Sequence, residues 1–293
     1  LNTFQWSAKV IDLAGVDGEM FPPPRESVDI LGTITSQAAR ETGLKEGTPV
    51  AVGGGDGSCA GVGVGCIKPG TAYNYLGSSS WIALTVKEPI VDEQMRTMNW
   101  AHCVPGYLHP SGTMQTAGSS HNWLKNTLCD KENSICMDLP LDPYELIEEA
   151  MASAPPGSNG VIFLPYMLGE RTPWWNPNAR GAFIGLNLAT KREDMLRAVL
   201  EGVTMNLGII VNIFRKHVDI PGITVIGGGA KSPLWRQMMA DIYDCRVQSL
   251  NFLEEATSMG AAVIGGVAAG VFKDFDVIDR FVRVENTAEP NGE

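Results

Sequence analysis

The chain is short of basic residues, with 22 Lys and Arg against 33 Asp and Glu in 293 residues, a net charge of −11. That balance is the wrong electrostatic footprint for a duplex-binding protein, and nucleic acid is not expected as a partner. A small polyanion remains compatible, because backbone N–H groups and a divalent metal hold phosphate without a basic surface. The six cysteines (Cys59, Cys66, Cys103, Cys129, Cys136, Cys245) form no C-x-x-C pair and the four histidines no H-E-x-x-H, so no metal-ligating residue is assigned. His102, His109, His121 and His217 also lack the spacing of a catalytic triad and receive no role. Reduced thiols and a cytoplasmic location are expected. Long apolar runs are missing as well: Met259 to Phe272 is the longest, rich in Gly and Ala and too short to cross a bilayer, and no basic-then-apolar leader precedes Leu1. No membrane partner is expected. The start on Leu1 and the polar run from Ala288 to Glu293 read as cuts, so a piece of a longer protein is expected.

What is present is globular. Hydrophobic residues make up 44%, with 33 Gly and 18 Pro, enough chain for one large domain or two ordinary ones. Thr35-Ser36 can cap a short helix ending at Gly43, and Pro49 to Val52 reads as a buried strand that runs into Gly53-Gly54-Gly55-Asp56-Gly57. Thr71 to Leu76 and Trp81 to Val86 form a hairpin whose tip is Gly77-Ser78-Ser79-Ser80. Asp142 starts an amphipathic helix to about Ala152, and Val161 to Leu164 is a short strand. Thr190-Lys191-Arg192-Glu193 fits a capping box for a long helix carrying Leu196, Val199, Leu200, Val203, Leu207, Ile210 and Phe214 on one stripe. Ile223 to Ile226, Gly227-Gly228-Gly229 and Ser232-Pro233 then spell strand, glycine turn and capped helix to about Asp244. Arg246 to Leu250 and Ala256 to Gly270 repeat strand and helix, the alternation of a three-layer α/β domain.

A glycine turn between a buried strand and a helix lets backbone N–H groups approach a phosphate, and Gly227 to Ser232 has this form. It is neither a P-loop nor a dinucleotide fingerprint, and a turn with no ligand fits it equally well. Asp56, at a strand end among glycines, suits a general base, while an Asx turn or helix cap is the plainer use of the same residue. Gly169-Glu170-Arg171-Thr172-Pro173 sits in an aromatic frame, so its charges are expected to meet each other or a ligand, and a structural ion pair holding a loop is favoured over direct catalysis. Trp174-Trp175 and the other tryptophans are read as packing rather than as a sugar platform.

Together these segments resemble the FGGY family of carbohydrate kinases, most of all its xylulose kinase branch. Gly181-Ala-Phe-Ile-Gly185-Leu186, Asp194-Met195 and Ala198-Val199-Leu200-Glu201 are similar to the family's C-terminal signature. Val50-Ala-Val-Gly-Gly-Gly-Asp56 resembles the strand that ends in its catalytic aspartate. Tyr166 to Pro173 with Asn178 to Gly181 resembles the pentulose kinase version of the preceding segment, and Gly227 to Gln237 the adenosine-side motif. The resemblance covers the family's second half and lacks its phosphate hairpin and N-terminal sugar-binding domain.

It implies an actin-like ATPase (ribonuclease H-like) α/β fold. Residues 1–65 would be the remnant of an N-terminal lobe, and 66–293 the nucleotide-binding lobe. It implies ATP and Mg2+, with Asp56 as general base, Gly77 and Ser78 near the phosphates, and Gly118, Gly228, Gly229 and Ala230 around the nucleotide, Asn122 lying on the adenine side. The implied reaction is phosphorylation of D-xylulose to D-xylulose 5-phosphate, with ribulose and gluconate as other sugars. Gly57 stands where relatives often place Asn, which leaves the sugar open. A nucleotide-binding module without turnover of its own is the second reading. Sugar and ATP are the expected partners, and a homodimer is left open.

Overall fold

The computed structural model describes Leu1 and residues 3–292. The first stretch holds α1 (Ala8–Ala14), β1 (Ile30–Thr33), α2 (Ser36–Thr42), β2 (Pro49–Ala51) and α3 (Asp56–Gly63). Then come β3 (Ala72–Leu76), β4 (Ser80–Leu84), β5 (Met98–Ala101), β6 (Leu108–Met114), α4 (Gly118–Leu128), α5 (Asp130–Asp138) and α6 (Pro143–Ala152). The chain continues through β7 (Ile162–Leu164), β8 (Ala182–Ile184), α7 (Arg192–Arg215), β9 (Gly222–Ile226), α8 (Pro233–Tyr243), β10 (Arg246–Leu250), α9 (Ala256–Ala268) and β11 (Val284–Ala288).

One seven-stranded sheet, in the order β11-β10-β9-β3-β4-β6-β5, organises most of these elements. Strands β3, β9 and β10 run parallel, while β11, β4, β6 and β5 join antiparallel. The period-two alternation of a strand sends neighbouring side chains to opposite faces. In β3 and β4, Ala72, Leu76, Ile82 and Leu84 join a core built on α7, whereas Tyr73 and Ala83 pack with Ala60 of α3 and Ala256 of α9. The sheet is therefore covered on both faces, as the strand–helix alternation predicts. The apolar stripe foreseen for α7 is real: Leu196, Val199, Leu200, Val203, Leu207, Ile210 and Phe214 are fully buried. Each such side chain contributes roughly 1.5–3 kcal/mol by leaving water. α7 is long and apolar enough to cross a membrane, but 83% of its apolar window is buried within the fold, where its stripe faces protein.

On the other face α3 and α9 cross backbone to backbone. A Cβ on Gly63 would stand 1.8 Å from the Ala256 carbonyl oxygen, and one on Gly260 would stand 1.8 Å from that of Cys59. Only residues without a side chain permit that approach.

Three local expectations need correction. The segment Pro49 to Val52 is not buried: β2 ends at Ala51 and pairs only with β1, and Val50 and Val52 face solvent, because α9, which approaches β2, leaves these two side chains uncovered. The hairpin tip is Gly77-Ser78-Ser79, since Ser80 is already in β4 and fully buried, where it accepts from Asn74 Nδ2 at 2.8 Å. The box at the start of α7 is shifted by one residue: Asp194, not Glu193, reaches back to the Lys191 N–H at 2.9 Å. Asp194 wins because it is buried and also accepts from Asn159 Nδ2 at 2.9 Å.

Candidate functional site

Two clefts meet at the β3–β4 hairpin tip. The first, of about 810 Å³, is walled by Gly77, Ser78, Gly118, Asn122, Gly228 and Gly229. The second, of about 640 Å³, is walled by Asp56, Ser79, Trp81, Trp100, His109 and Arg171. Consecutive residues of one tip thus face different clefts, with Gly77 and Ser78 on one side and Ser79 on the other.

The tip is fastened from behind by the start of α4. Gly118 N–H donates to the Gly77 carbonyl at 2.8 Å, and Ala117 and Ser119 N–H donate to the Ser78 carbonyl at 2.9 and 3.1 Å. A Cβ on Gly118 would stand 2.5 Å from the Gly77 oxygen, so the approach itself requires glycine there. Opposite lies the turn after β9, where Ser232 caps α8 by accepting from Trp235 N–H at 2.9 Å and Pro233 takes the first helical position. A Cβ on Gly228 would meet nothing within 4 Å. Ala230 is fully buried and lies behind the cleft wall rather than on it, with its carbonyl bound by Arg236 Nη1.

The far wall of the first cleft is α6, which presents Asp142, Glu145 and Glu148, with Tyr144 and His121 beside them. Burial pushes the Glu148 carboxyl above its usual range. Asn122 Oδ1 accepts from the Tyr144 hydroxyl at 3.3 Å. His121 packs against Tyr144 and edge-on to Trp235, with centroids 4.7 and 5.6 Å away. Burial holds the ring down at about 4, so it is neutral at pH 7, and Nε2 has no partner among the described residues. Lys231 lines the cleft at an exposed position, 2.9 Å from Glu254.

In the second cleft Asp56 is exposed in the first turn of α3. It is not the cap, since Gly55 holds that position, and its Oδ1 accepts from the adjacent Gly57 N–H at 2.8 Å. The next turn element is fixed from the sheet. Tyr73 donates its hydroxyl proton to the Gly57 carbonyl at 2.6 Å and accepts from Trp81 Nε1 at 2.8 Å. His109 Nε2 lies 3.4 Å from the same hydroxyl. Burial raises Tyr73 and lowers His109 to about 3, so both are neutral near pH 7. Behind them His102 accepts from Val104 N–H at Nδ1, 2.8 Å away, which leaves Nε2 to donate to the Cys66 carbonyl at 3.1 Å.

The Glu170–Arg171 segment differs from expectation. Glu170 forms no ion pair with Arg171. Its buried carboxylate accepts from the backbone N–H groups of Gln115 and Arg171, both at 2.8 Å, and from Asn206 Nδ2 at 3.3 Å. Backbone donors supply most of what a charged partner would, and Arg171, which lines the Asp56 cleft, has no ion-pair partner among the described residues. Trp174 and Trp175 are not packed away either. They are 54% and 46% exposed, because their ring nitrogens tie the loop outward, to the Tyr166 hydroxyl at 2.8 Å and to the Met95 carbonyl at 2.9 Å.

Six of the seven nucleotide-side positions named from sequence therefore share one cleft, and Asp56 occupies the adjoining one. His109 and His121, given no role from sequence, line these clefts, Arg171 lines one of them rather than pairing with Glu170, and Tyr73 was not foreseen. The available signal was the aromatic set Tyr73, Tyr75 and Trp81 at alternating hairpin positions, which marks one sheet face under α3.

Solved structures of sugar kinases superpose on this chain, and the fold is that of the actin-like ATPases. A ligand-bound xylulose kinase from Lactobacillus acidophilus superposes with a TM-score of 0.90 at 26% identity, over 99% of this chain and 57% of that one. The pattern of the FGGY family of carbohydrate kinases matches twice, its C-terminal domain over residues 72–269 and its N-terminal domain over residues 1–63. The chain belongs to the FGGY family of carbohydrate kinases. A xylulose kinase from Staphylococcus epidermidis is 34% identical over 100% of the chain, and a gluconokinase from Bacillus subtilis 31% identical over 96% of it. The chain spans 57% and 55% of the length of these curated relatives.

Proposed function

We propose that the chain carries the nucleotide site and the base-bearing turn of an ATP-dependent ketopentose kinase, with D-xylulose as the acceptor. The observation that carries this reading is the shared hairpin tip, which makes the two clefts neighbours across Ser78 and Ser79. A phosphate chain lying along Gly77 and Ser78 brings its last phosphorus to the edge of the Asp56 cleft.

Charge orients the nucleotide. The carboxylates of α6 repel phosphates, so the base lies toward Asn122, Tyr144 and His121, and the phosphates lie toward Gly77, Ser78, Gly118, Gly228 and Gly229. Ala230 supports that turn from behind. A sugar hydroxyl in the second cleft then attacks the terminal phosphorus as Asp56 takes its proton, the bond to the leaving ADP oxygen breaks, and the sugar departs as its phosphate ester. Trp81 and Trp100 give the sugar an apolar wall. Mg2+ fits as a companion of ATP rather than a resident ion, since no three-residue metal cluster exists among the described residues and magnesium takes most of its ligands from phosphates and water.

Residues 1–65 and 66–293 are assigned in this reading to the two lobes of the kinase. In-line transfer requires sugar and nucleotide to be held together. A chain spanning 57% of its relatives is accordingly expected to bind Mg-ADP weakly and to turn over more slowly than the full-length protein. Gluconate is the second reading, favoured by the unpaired Arg171 guanidinium in the Asp56 cleft, which suits a substrate carboxylate.

Calorimetry with Mg-ADP tests the nucleotide site, and no heat at millimolar nucleotide with a folded protein overturns it. ADP release with xylulose and with gluconate, on the full-length protein, decides the sugar. Asp56→Asn is expected to lower kcat by about 10²-fold with nucleotide binding retained. An unchanged rate removes Asp56 from the mechanism.

A further inference from the structure

Directly beneath the turn that carries Asp56, two thiols crowd one point. A Cβ on Gly54 would stand 2.2 Å from Cys103 Sγ and 3.6 Å from Cys59 Sγ, so a residue with no side chain is the only cover they allow. Cys59 lies within the first turns of α3, and Cys103 on the connection between β5 and β6, forty-four positions further along the chain. Both belong to one buried apolar cluster with Val62 and Ile67, yet Gly54, which lies against both sulfurs, is exposed. Cys59 Sγ donates to the Gly54 carbonyl at 3.4 Å.

We infer that Cys59 and Cys103 form a dithiol site that peroxides close to a disulfide, a modification independent of the sugar and nucleotide reading. The chemistry balances with hydrogen peroxide as oxidant. The Cys59 thiolate attacks a peroxide oxygen, the O–O bond breaks, and a sulfenic acid forms as one water leaves. The Cys103 sulfur then attacks the Cys59 sulfur, the S–S bond forms, and the sulfenic oxygen leaves as a second water, its protons supplied by the thiols.

The surroundings favour this order. The contact with Cys103 lowers the Cys59 thiol, which makes Cys59 the readier of the two to attack as a thiolate, while the same contact raises Cys103. Burial pushes Cys66 up to about 12 and also raises Cys129 and Cys245, which keeps those sulfurs as unreactive thiols. The disulfide would have two local consequences. It removes the Cys59 S–H that holds the Gly54 carbonyl, and it fastens α3 to the β5–β6 connection.

The test uses the purified chain, treated with hydrogen peroxide at pH 7, quenched by alkylation and digested without reductant. Six titratable thiols should fall to four, with one new linked species joining the peptides of Cys59 and Cys103 and lost on adding dithiothreitol. A titre that stays at six, or peroxide products confined to Cys136 or other thiols, overturns the proposal. Cys103→Ser sharpens the mechanism: dimedone should then trap a sulfenic acid on Cys59, and no link should form. Because the linked peptide is read on the unsubstituted chain, the result stands even if that variant fails to fold.

Discussion

Residues 1–53 and residues 72–269 are made of similar material and reach opposite ends of the burial scale. Both contain capped helices and apolar strands, and α2 is capped at Thr35 and ended by Gly43 as well as any helix in the molecule. Yet Ser27 is the only buried residue among those described in 1–53, whereas α7 is buried along most of its length. Ile30, Leu31, Leu44 and Val50 are as apolar as Leu200 or Val203, and they face solvent. Local sequence decides which backbone conformation forms. Burial is decided by what lies on top, and on β1–β2 the approach of α9 leaves Ile30, Leu31 and Val50 open to solvent.

Acid should separate the two regions most strongly. His102, His109 and His121 all lie in the second region, held down at about 4, 3 and 4 by burial, while residues 1–53 contain no histidine. The native protein keeps these rings neutral while the unfolded chain protonates them below about 6.5, so their stabilisation is complete above that pH and is lost as pH falls toward 4. Each contributes up to about 1.4 kcal/mol per pH unit across that window. Urea midpoints from about pH 7 to about pH 4.5 measure the slope, and a flat profile breaks the argument. Asp92, held down to about 2 by Arg96, acts only below this window.

Truncation comes next. Leu207→Ala, in the buried stripe of α7, should cost about 3 kcal/mol, and Leu31→Ala, 63% exposed, less than about 0.5. Equal costs would mean that β1 is covered in solution. Within α9 the same contrast takes another form: Gly260→Ala drives a methyl into the Cys59 carbonyl and should cost about 2 kcal/mol, whereas Gly265→Ala meets nothing within 4 Å and should gain about 0.5–1 kcal/mol of helix propensity. Among the destabilising changes at buried positions a milder loss is expected for Tyr73→Phe, which removes one hydroxyl from between Trp81 and Gly57 and should lower stability by about 1 kcal/mol in denaturant unfolding.

Much of this was legible in the sequence because it is local. The stripe of α7 and the Ser232-Pro233 cap are written in local pattern and lie where it says, and the glycine–serine tip does so except that Ser80 joins β4. β6 was not legible. Leu108–Met114 carries Pro110 and Gly112 and no alternation, and it is a strand because β4 and β5 flank it on both sides. The clefts were half legible for the same reason. Gly77, Ser78 and Asp56 were assigned to the site only through the family resemblance, while Arg171 lines the Asp56 cleft from a loop far along the chain whose Glu170 is seated on the Gln115 amide. The capping box slipped by one residue because Asn159, which helps choose Asp194 over Glu193, is remote in sequence.

The fastening of the hairpin tip to α4 bears on how such chains age. Gly118 is demanded by the Gly77 carbonyl 2.5 Å from where its Cβ would be, whether or not a nucleotide ever binds. A lineage that lost all catalysis would still be under pressure to keep that glycine, simply to fold. Gly228, with open space where a side chain would point, is under no such obligation. In copies drifting free of selection for activity, Gly228 should be among the first of the cleft glycines to be replaced and Gly118 among the last. Retention of the one says that the hairpin still closes, and retention of the other says that something is still being bound.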